Sequence, residues 1–179
     1  GQGADMNAIL DIAKKHNLFV IEDTAQALGA SYTMNSGETK CLGTIGDIGC
    51  TSFFPSKNLG CFGDGGALFT NSDELAANLR MIANHGQKVR YYHDVIGVNS
   101  RLDTIQAAIL DIKLKHLNEY AEARRSVANF YDNALQVAGL STPKRINEGT
   151  HVFHQYTLRV LNGQRDALRS HLEKNGVPS

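Results

Sequence analysis

From Ala4 to His16 the apolar residues Met6, Ile9, Leu10 and Ala13 recur at helical spacing, with Asp5, Asp11, Lys14 and Lys15 elsewhere on the surface. The pattern predicts an amphipathic helix. It then changes to the continuous apolar run Leu18-Phe19-Val20-Ile21, expected of a strand buried on both faces of a parallel sheet. Asp23 follows just past the carboxyl end of that strand, where open α/β sheets place their ligands. Tyr32 to Gly46 has polar and glycine residues without periodicity, which predicts a surface excursion holding a small hairpin. Ile48 to Phe54 reads as a second strand, ended by Pro55. A glycine-bearing loop from Ser56 to Gly66 carries Lys57 and leads to a strand over Ala67 to Thr70.

Asn71 followed by Glu74 has the form of a capping box, opening a helix with Leu75, Leu79 and Ile82 that Gly86 closes after His85. Gln87 to Asn99 reads as a polar, aromatic loop. Leu102 to Ala138 stays helical for so long that one bent helix or two stacked helices are required, with Gly139 as the stop. His151 to Val160 alternates like a strand, Asn162-Gly163 makes a turn, and Asp166 to Lys174 forms a last helix ended by Gly176. Strands alternating with helices predict an α/β class. The expected boundary lies near Gly139, with residues 1–139 as an α/β portion and residues 140–179 as the start of a smaller α+β domain.

Composition narrows the function. The chain has 179 residues, about one domain by the usual prior. Its 18 basic and 18 acidic residues cancel, which argues against an electrostatic grip on nucleic acid or an anionic membrane and favours a small-molecule partner. No apolar run approaches the roughly 20 residues of a membrane helix, and the first residues lack the layout of a secretory signal. A cytoplasmic protein is expected. Cys41, Cys50 and Cys61 are odd in number and widely spaced, as reduced thiols would be, and no CxxC or HxxxH pair suggests a metal site. His151 and His154 are three apart on a predicted strand and so point to opposite faces, which assigns them to packing. The chain lacks an initiator methionine and stops just after a helix, so a segment of a longer protein is expected.

The candidate chemistry centres on Lys57 and Asp23, a lysine amine and a carboxylate each placed just beyond a strand. Such a pair is what a pyridoxal phosphate site requires: a lysine to form a Schiff base with the aldehyde, and a carboxylate to keep the pyridine nitrogen protonated. Gln26, Ser52 and the glycines around Asp64 complete the constellation. Lys57, Asp23, Ser52 and the glycines have plainer alternatives. Lys57 alone would be a solvated loop lysine, Asp23 a turn or N-cap residue, and Ser52 a small packing residue. The glycines at 60, 63, 65 and 66 serve either close backbone approach and positive φ near a ligand or simply a tight loop before a strand.

Val20 to Ala30, Ser52 to Gly60, Gly63-Asp64-Gly65-Gly66-Ala67 and Asn99-Ser100-Arg101-Leu102-Asp103 together resemble the DegT/StrS sugar aminotransferases. The resemblance covers essentially the whole chain in order. It implies an α/β fold, part of a fold-type I pyridoxal-phosphate transferase large domain with a three-layer sheet, plus the start of a small α+β domain. It implies pyridoxal 5′-phosphate as cofactor, and transfer of an amino group, with glutamate as donor, to a keto group of a nucleotide-linked sugar. Carried over residue by residue, it makes Lys57 the Schiff-base lysine and proton shuttle, and makes Asp23 the partner of the ring nitrogen. Gln26 would lie near the ring and Ser52 would donate to the phosphate. Asn99 would reach the same phosphate from a second subunit, making the active site a homodimer property; a turn asparagine is its alternative.

Tyr91, Tyr92 and His93 are left without an assigned role, since such clusters either contact substrate or pack at interfaces. The family's N-terminal part and final strand are missing here, so residues 1–179 alone are expected to self-associate and to hold the cofactor weakly. Two rivals accompany this reading. A sugar dehydratase of the same family carries histidine in place of the Schiff-base lysine, which Lys57 opposes. The other is a non-catalytic dimerising or ligand-sensing domain of the same fold.

Overall fold

The computed structural model describes residues 1–179 and is built from five helices and nine short strands. Helix α1 (Met6–His16) is opened by Asp5, whose carboxylate accepts from Ala8 N, and closed by Asn17 in the left-handed conformation. Three strands form the central sheet: β1 (Ile21–Asp23), β4 (Ile48–Ser52) and β5 (Gly66–Phe69), in the order β1-β4-β5. β1 and β4 run parallel with Asp23 beside Cys50, whereas β5 returns antiparallel with Leu68 beside Cys50. Between them, β2 (Ser31–Thr33) and β3 (Thr39–Cys41) form the expected hairpin.

Two expectations for this half need correction. The run Leu18 to Ile21 is not covered on both faces: Leu18, Phe19 and Ile21 are 60%, 80% and 66% exposed, and the strand begins only at Ile21. Helix α2 (Asp73–Ala83) is capped by Ser72, whose Oγ accepts from Leu75 N, rather than by Asn71. Asn71 instead donates its amide to Thr44 O. His85 and Gly86 both take positive φ after the helix, and Gly86 N returns to Met81 O.

The segment from Gln87 to Asn99 is more ordered than a loop, since β6 (Gln87–Val89) and β7 (Tyr92–His93) pair antiparallel through a tip at Tyr91. The long helical stretch resolves into α3 (Thr104–Leu114) and α4 (Leu117–Ala134), broken at Lys115 and His116. The region from His151 to Thr157 is not a strand. Only Arg159–Val160 (β9) pairs, with Leu140–Ser141 (β8), and α5 (Arg165–Lys174) follows. Phe153 interrupts the alternation with φ 45°, a left-handed value that a buried aromatic rarely adopts.

The core occupies the inner face of the sheet and is split into two clusters. Met6, Ala27, Ala30, Tyr32, Leu42, Ala121 and Val152 gather around the hairpin and α4. Phe53, Leu59, Cys61 and Leu110 gather where the loop after β4 meets α3. The second cluster fixes the loop that carries Lys57.

Candidate active site

The loop after β4 is shaped by steric constraint. A Cβ at Gly60 would lie 2.5 Å from Pro55 O and 2.7 Å from Phe54 O, so only glycine lets the chain fold back on itself there. Lys57 N donates to Phe54 O at 2.8 Å, closing a turn that sets Lys57 at the rim of the loop. None of the glycines at 60, 63, 65 and 66 takes a positive φ, so that part of the expectation fails. Their need is for space: a Cβ at Gly66 would lie 2.8 Å from Thr51 O, and one at Gly65 would lie 2.9 Å from Leu102 Cδ1.

Lys57 is half-buried and lines a cleft of about 780 Å³ between its loop, helix α4 and the segment from Phe153 to Tyr156. The amine enters no ion pair. The other two cations of the cleft are tied to main chain: Lys113 donates to Gly60 O, and Arg124 donates to Phe153 O at 3.1 Å and His154 O at 3.3 Å. Tyr156 donates to Asp132 Oδ1 at 2.6 Å, and burial together with that carboxylate pushes its hydroxyl up to about 12.

Asp23 ends β1 on the outer face of the sheet. Residues in register on adjacent strands share a face, so Asp23, Cys50, Ser52 and Leu68 lie together there. Leu68 is 53% exposed and Asp23 is exposed. Asp23 Oδ1 accepts from Ala25 N at 2.9 Å, which gives it the turn role, with Oδ2 still open. Ser52 Oγ accepts from Phe54 N at 3.2 Å, which leaves its hydroxyl proton free to donate. Burial, and then the Asp23 charge, raise the Cys50 thiol above its ordinary range.

Glu22, one residue earlier, points inward. Its carboxylate accepts from Gly43 N at 2.8 Å, Ile45 N at 2.6 Å and Gly46 N at 2.7 Å, and so fastens the loop after β3 to the sheet.

Asp23 and Ser52 are thus brought to one sheet face, while Lys57 opens into a different cavity; Asp23 lines a small depression with Gln2, Gly3 and Ala4. Gln26 is exposed on the turn after β1. Asn99 is exposed and bridges to Asn84. The residues nonetheless suit a pyridoxal phosphate: an open carboxylate oxygen, a free hydroxyl donor and an unpaired lysine amine lie at or beyond the ends of β1 and β4.

His154 is the residue that the strand reading hid. It lines the Lys57 cleft, and its buried Nδ1 has no hydrogen-bond partner, as does Asn58 Oδ1 in the same wall. Burial first, then the charges of Lys57, Arg124 and the Gly1 amine, lower the proton affinity of His154. His151 does serve packing: its ring stacks on Phe153 with centroids 3.8 Å apart.

The mixed α/β architecture is that of the fold-type I pyridoxal-phosphate transferases, which solved relatives share. The profile of the DegT/DnrJ/EryC1/StrS aminotransferase family matches residues 1–179, and the chain belongs to that family. Enzymes of this family depend on pyridoxal 5′-phosphate. The chain is 50% identical over 179 residues to a UDP-2-acetamido-2-deoxy-3-oxo-D-glucuronate aminotransferase of Pseudomonas aeruginosa, covering 100% of this chain and 48% of that one. It is also 50% identical, over 180 residues, to a pleiotropic regulatory protein of Geobacillus stearothermophilus, covering 99% of this chain and 46% of that one. Among solved structures, a family aminotransferase from Brucella abortus superposes with a TM-score of 0.89 at 41% identity, over 98% of this chain and 45% of that one. The chain therefore spans about half the length of the relatives it matches.

Proposed function

We propose that this chain is the lysine-bearing part of an aminotransferase that moves an amino group, from glutamate, to a keto group of a nucleotide-linked sugar. The observation that carries the reading is the unpaired Lys57 amine at the rim of a cleft, on a loop that follows a strand lying beside Asp23. When bound, pyridoxal phosphate supplies an electron sink for the carbon that gains or loses the amino group. Lys57 Nζ would hold it covalently, and the same amine would take up and release the proton that the reaction moves. Asp23 Oδ2 would hold the ring nitrogen in its protonated form, Gln26 would lie by the ring, and Ser52 Oγ would donate to the phosphate. Asn99 reaches the same phosphate from a second copy, so the working unit is a homodimer in the cytoplasm. Residues 1–139 then form the cofactor-binding portion and residues 140–179 begin a smaller domain.

Borohydride reduction of the complete protein with pyridoxal phosphate, followed by peptide mapping, tests the anchor. The expected label is on Lys57, and Lys57→Ala removes it. A label on Lys40, Lys88 or Lys113 overturns the assignment. A second reading, a ligand-sensing domain, is favoured by the name of the Geobacillus relative. A visible absorption band that shifts on adding glutamate supports the enzyme; a chain that never retains the cofactor supports the sensor.

A further inference from the structure

We propose that His154 and Asn58 form a receiving station for Lys57, with Lys57 Nζ donating to His154 Nδ1 and Asn58 Oδ1 whenever its amine is not covalently engaged. The inference rests on Lys57 being the cofactor-bearing lysine, because only such a lysine must be released and recaptured. It makes His154 a positioning residue.

Two buried polar atoms without partners belong to residues that line one cleft, and buried polar atoms are ordinarily paired. Asn58 Nδ2 donates to Val152 O at 2.9 Å, which fixes the amide so that Oδ1, an acceptor only, is the group left over. A neutral histidine whose proton sits on Nε2 likewise presents Nδ1 as an acceptor, and burial together with the nearby cations favours the neutral ring. Two acceptors call for a donor. Among the cations of the cleft, Lys113 and Arg124 are already bound to carbonyls, whereas Lys57 is a donor-only group without an ion-pair partner, and it adjoins Asn58 in the chain.

The backbone supports the same role. Phe153 holds a left-handed φ of 45° while buried, a conformation that persists only when its surroundings enforce it. Arg124 supplies that enforcement by grasping the carbonyls of Phe153 and His154 together. The strained turn is what brings the His154 ring to the cleft instead of continuing an extended strand.

The titratable groups of the cleft are Lys57, Lys113, Arg124, His154, Tyr120, Tyr131 and Tyr156, so the test reads Lys57 itself. In the complete protein stripped of cofactor, acetylation of each lysine by acetic anhydride is followed by mass spectrometry for the unmodified protein, His154→Phe and His154→Gln. Removing the acceptor destabilises the ammonium, so His154→Phe is expected to speed Lys57 acetylation about tenfold near neutral pH, equivalent to about one pKa unit. The glutamine carbonyl restores the slow rate to within about twofold, while Lys40 and Lys113 stay unchanged. Equal Lys57 rates in all three proteins overturn the proposal.

Should His154→Phe fail to fold, the imidazole nitrogen-15 resonance of His154 Nδ1 decides. It is expected to shift on Lys57→Ala, and an unmoved resonance overturns the pairing. Borohydride labelling of Lys57 with unchanged acetylation defeats this inference alone. Labelling elsewhere defeats the functional reading beneath it.

Discussion

Glu22 and Asp23 are neighbours on one strand with opposite fates. Glu22 faces the core, is 8% exposed and spends its carboxylate on three backbone N–H groups, whereas Asp23 faces outward and accepts one. The faces they occupy differ in the same way. The inner one carries Thr24 and Thr51, whose hydroxyls donate to Cys50 O and Thr24 O, and is closed by α3, α4 and the hairpin. The outer one carries Cys50, Ser52 and Leu68 and is largely open. A carboxylate with both oxygens engaged by backbone N–H groups is part of the scaffold, while one with an oxygen to spare at a strand end can serve a ligand.

The sharpest way to break this comparison is Asp23→Asn in the complete protein. A neutral amide preserves the Ala25 contact but cannot hold a ring nitrogen protonated. Single-turnover amino transfer from glutamate is expected to fall about a thousandfold, roughly 4 kcal/mol of transition-state stabilisation. The melting temperature is expected to move by no more than about 2 °C, as for a surface change. Near-native transfer would reduce Asp23 to a turn residue.

Glu22→Gln is the converse. It replaces a charged acceptor of three hydrogen bonds with an amide that turns a donor toward at least one backbone N–H. Destabilisation of about 2–4 kcal/mol is expected, read as a lowered denaturation midpoint in urea at unchanged slope. Transfer per folded molecule should stay near normal. A variant as stable as the parent would show that the loop from Gly43 to Gly46 does not depend on the carboxylate.

The contrast between the two faces was only half visible in the sequence. Lys57 and Asp23 stand out because each follows an apolar run, and Met6, Ile9, Leu10 and Ala13 mark a clear helical period, though not the caps Asp5 and Asn17 that bound it. Glu22 does not stand out, since nothing local announces that three N–H groups from distant residues converge on one side chain. The exposure of Leu18 and Phe19 was equally hidden, because an apolar run reads the same whether or not a neighbour covers it. Asn71 and Ser72 are both good caps, and the helix takes Ser72 while Asn71 donates to the distant Thr44 O, a contact that nothing local announces. His154 was lost for a different reason. The alternation from His151 onward fits a strand, but no neighbouring strand pairs with it and Phe153 turns the chain aside, so the side chain set down as packing enters the cleft of Lys57.

The smallest expected effect concerns Cys50, which shares the outer face with Asp23 and reports its charge. The thiol is raised by burial first and by Asp23 second, so removing the carboxylate leaves the first cause and cancels the second. In Asp23→Asn the thiol pKa should therefore drop part of the way back, increasing the thiolate fraction at mildly alkaline pH. Alkylation of Cys50 by iodoacetamide, quantified by peptide mass spectrometry, is expected to accelerate roughly two- to threefold. Cys61, buried and donating to Phe53 O and Gly63 O, serves as the internal control and should not change. Glu22→Gln should leave Cys50 at the parental rate under conditions where it remains folded, because its carboxylate lies on the other side of the strand. If both variants accelerate Cys50 equally, the thiol is sensing loosening of the sheet rather than a neighbouring charge, and the separation of the two faces fails.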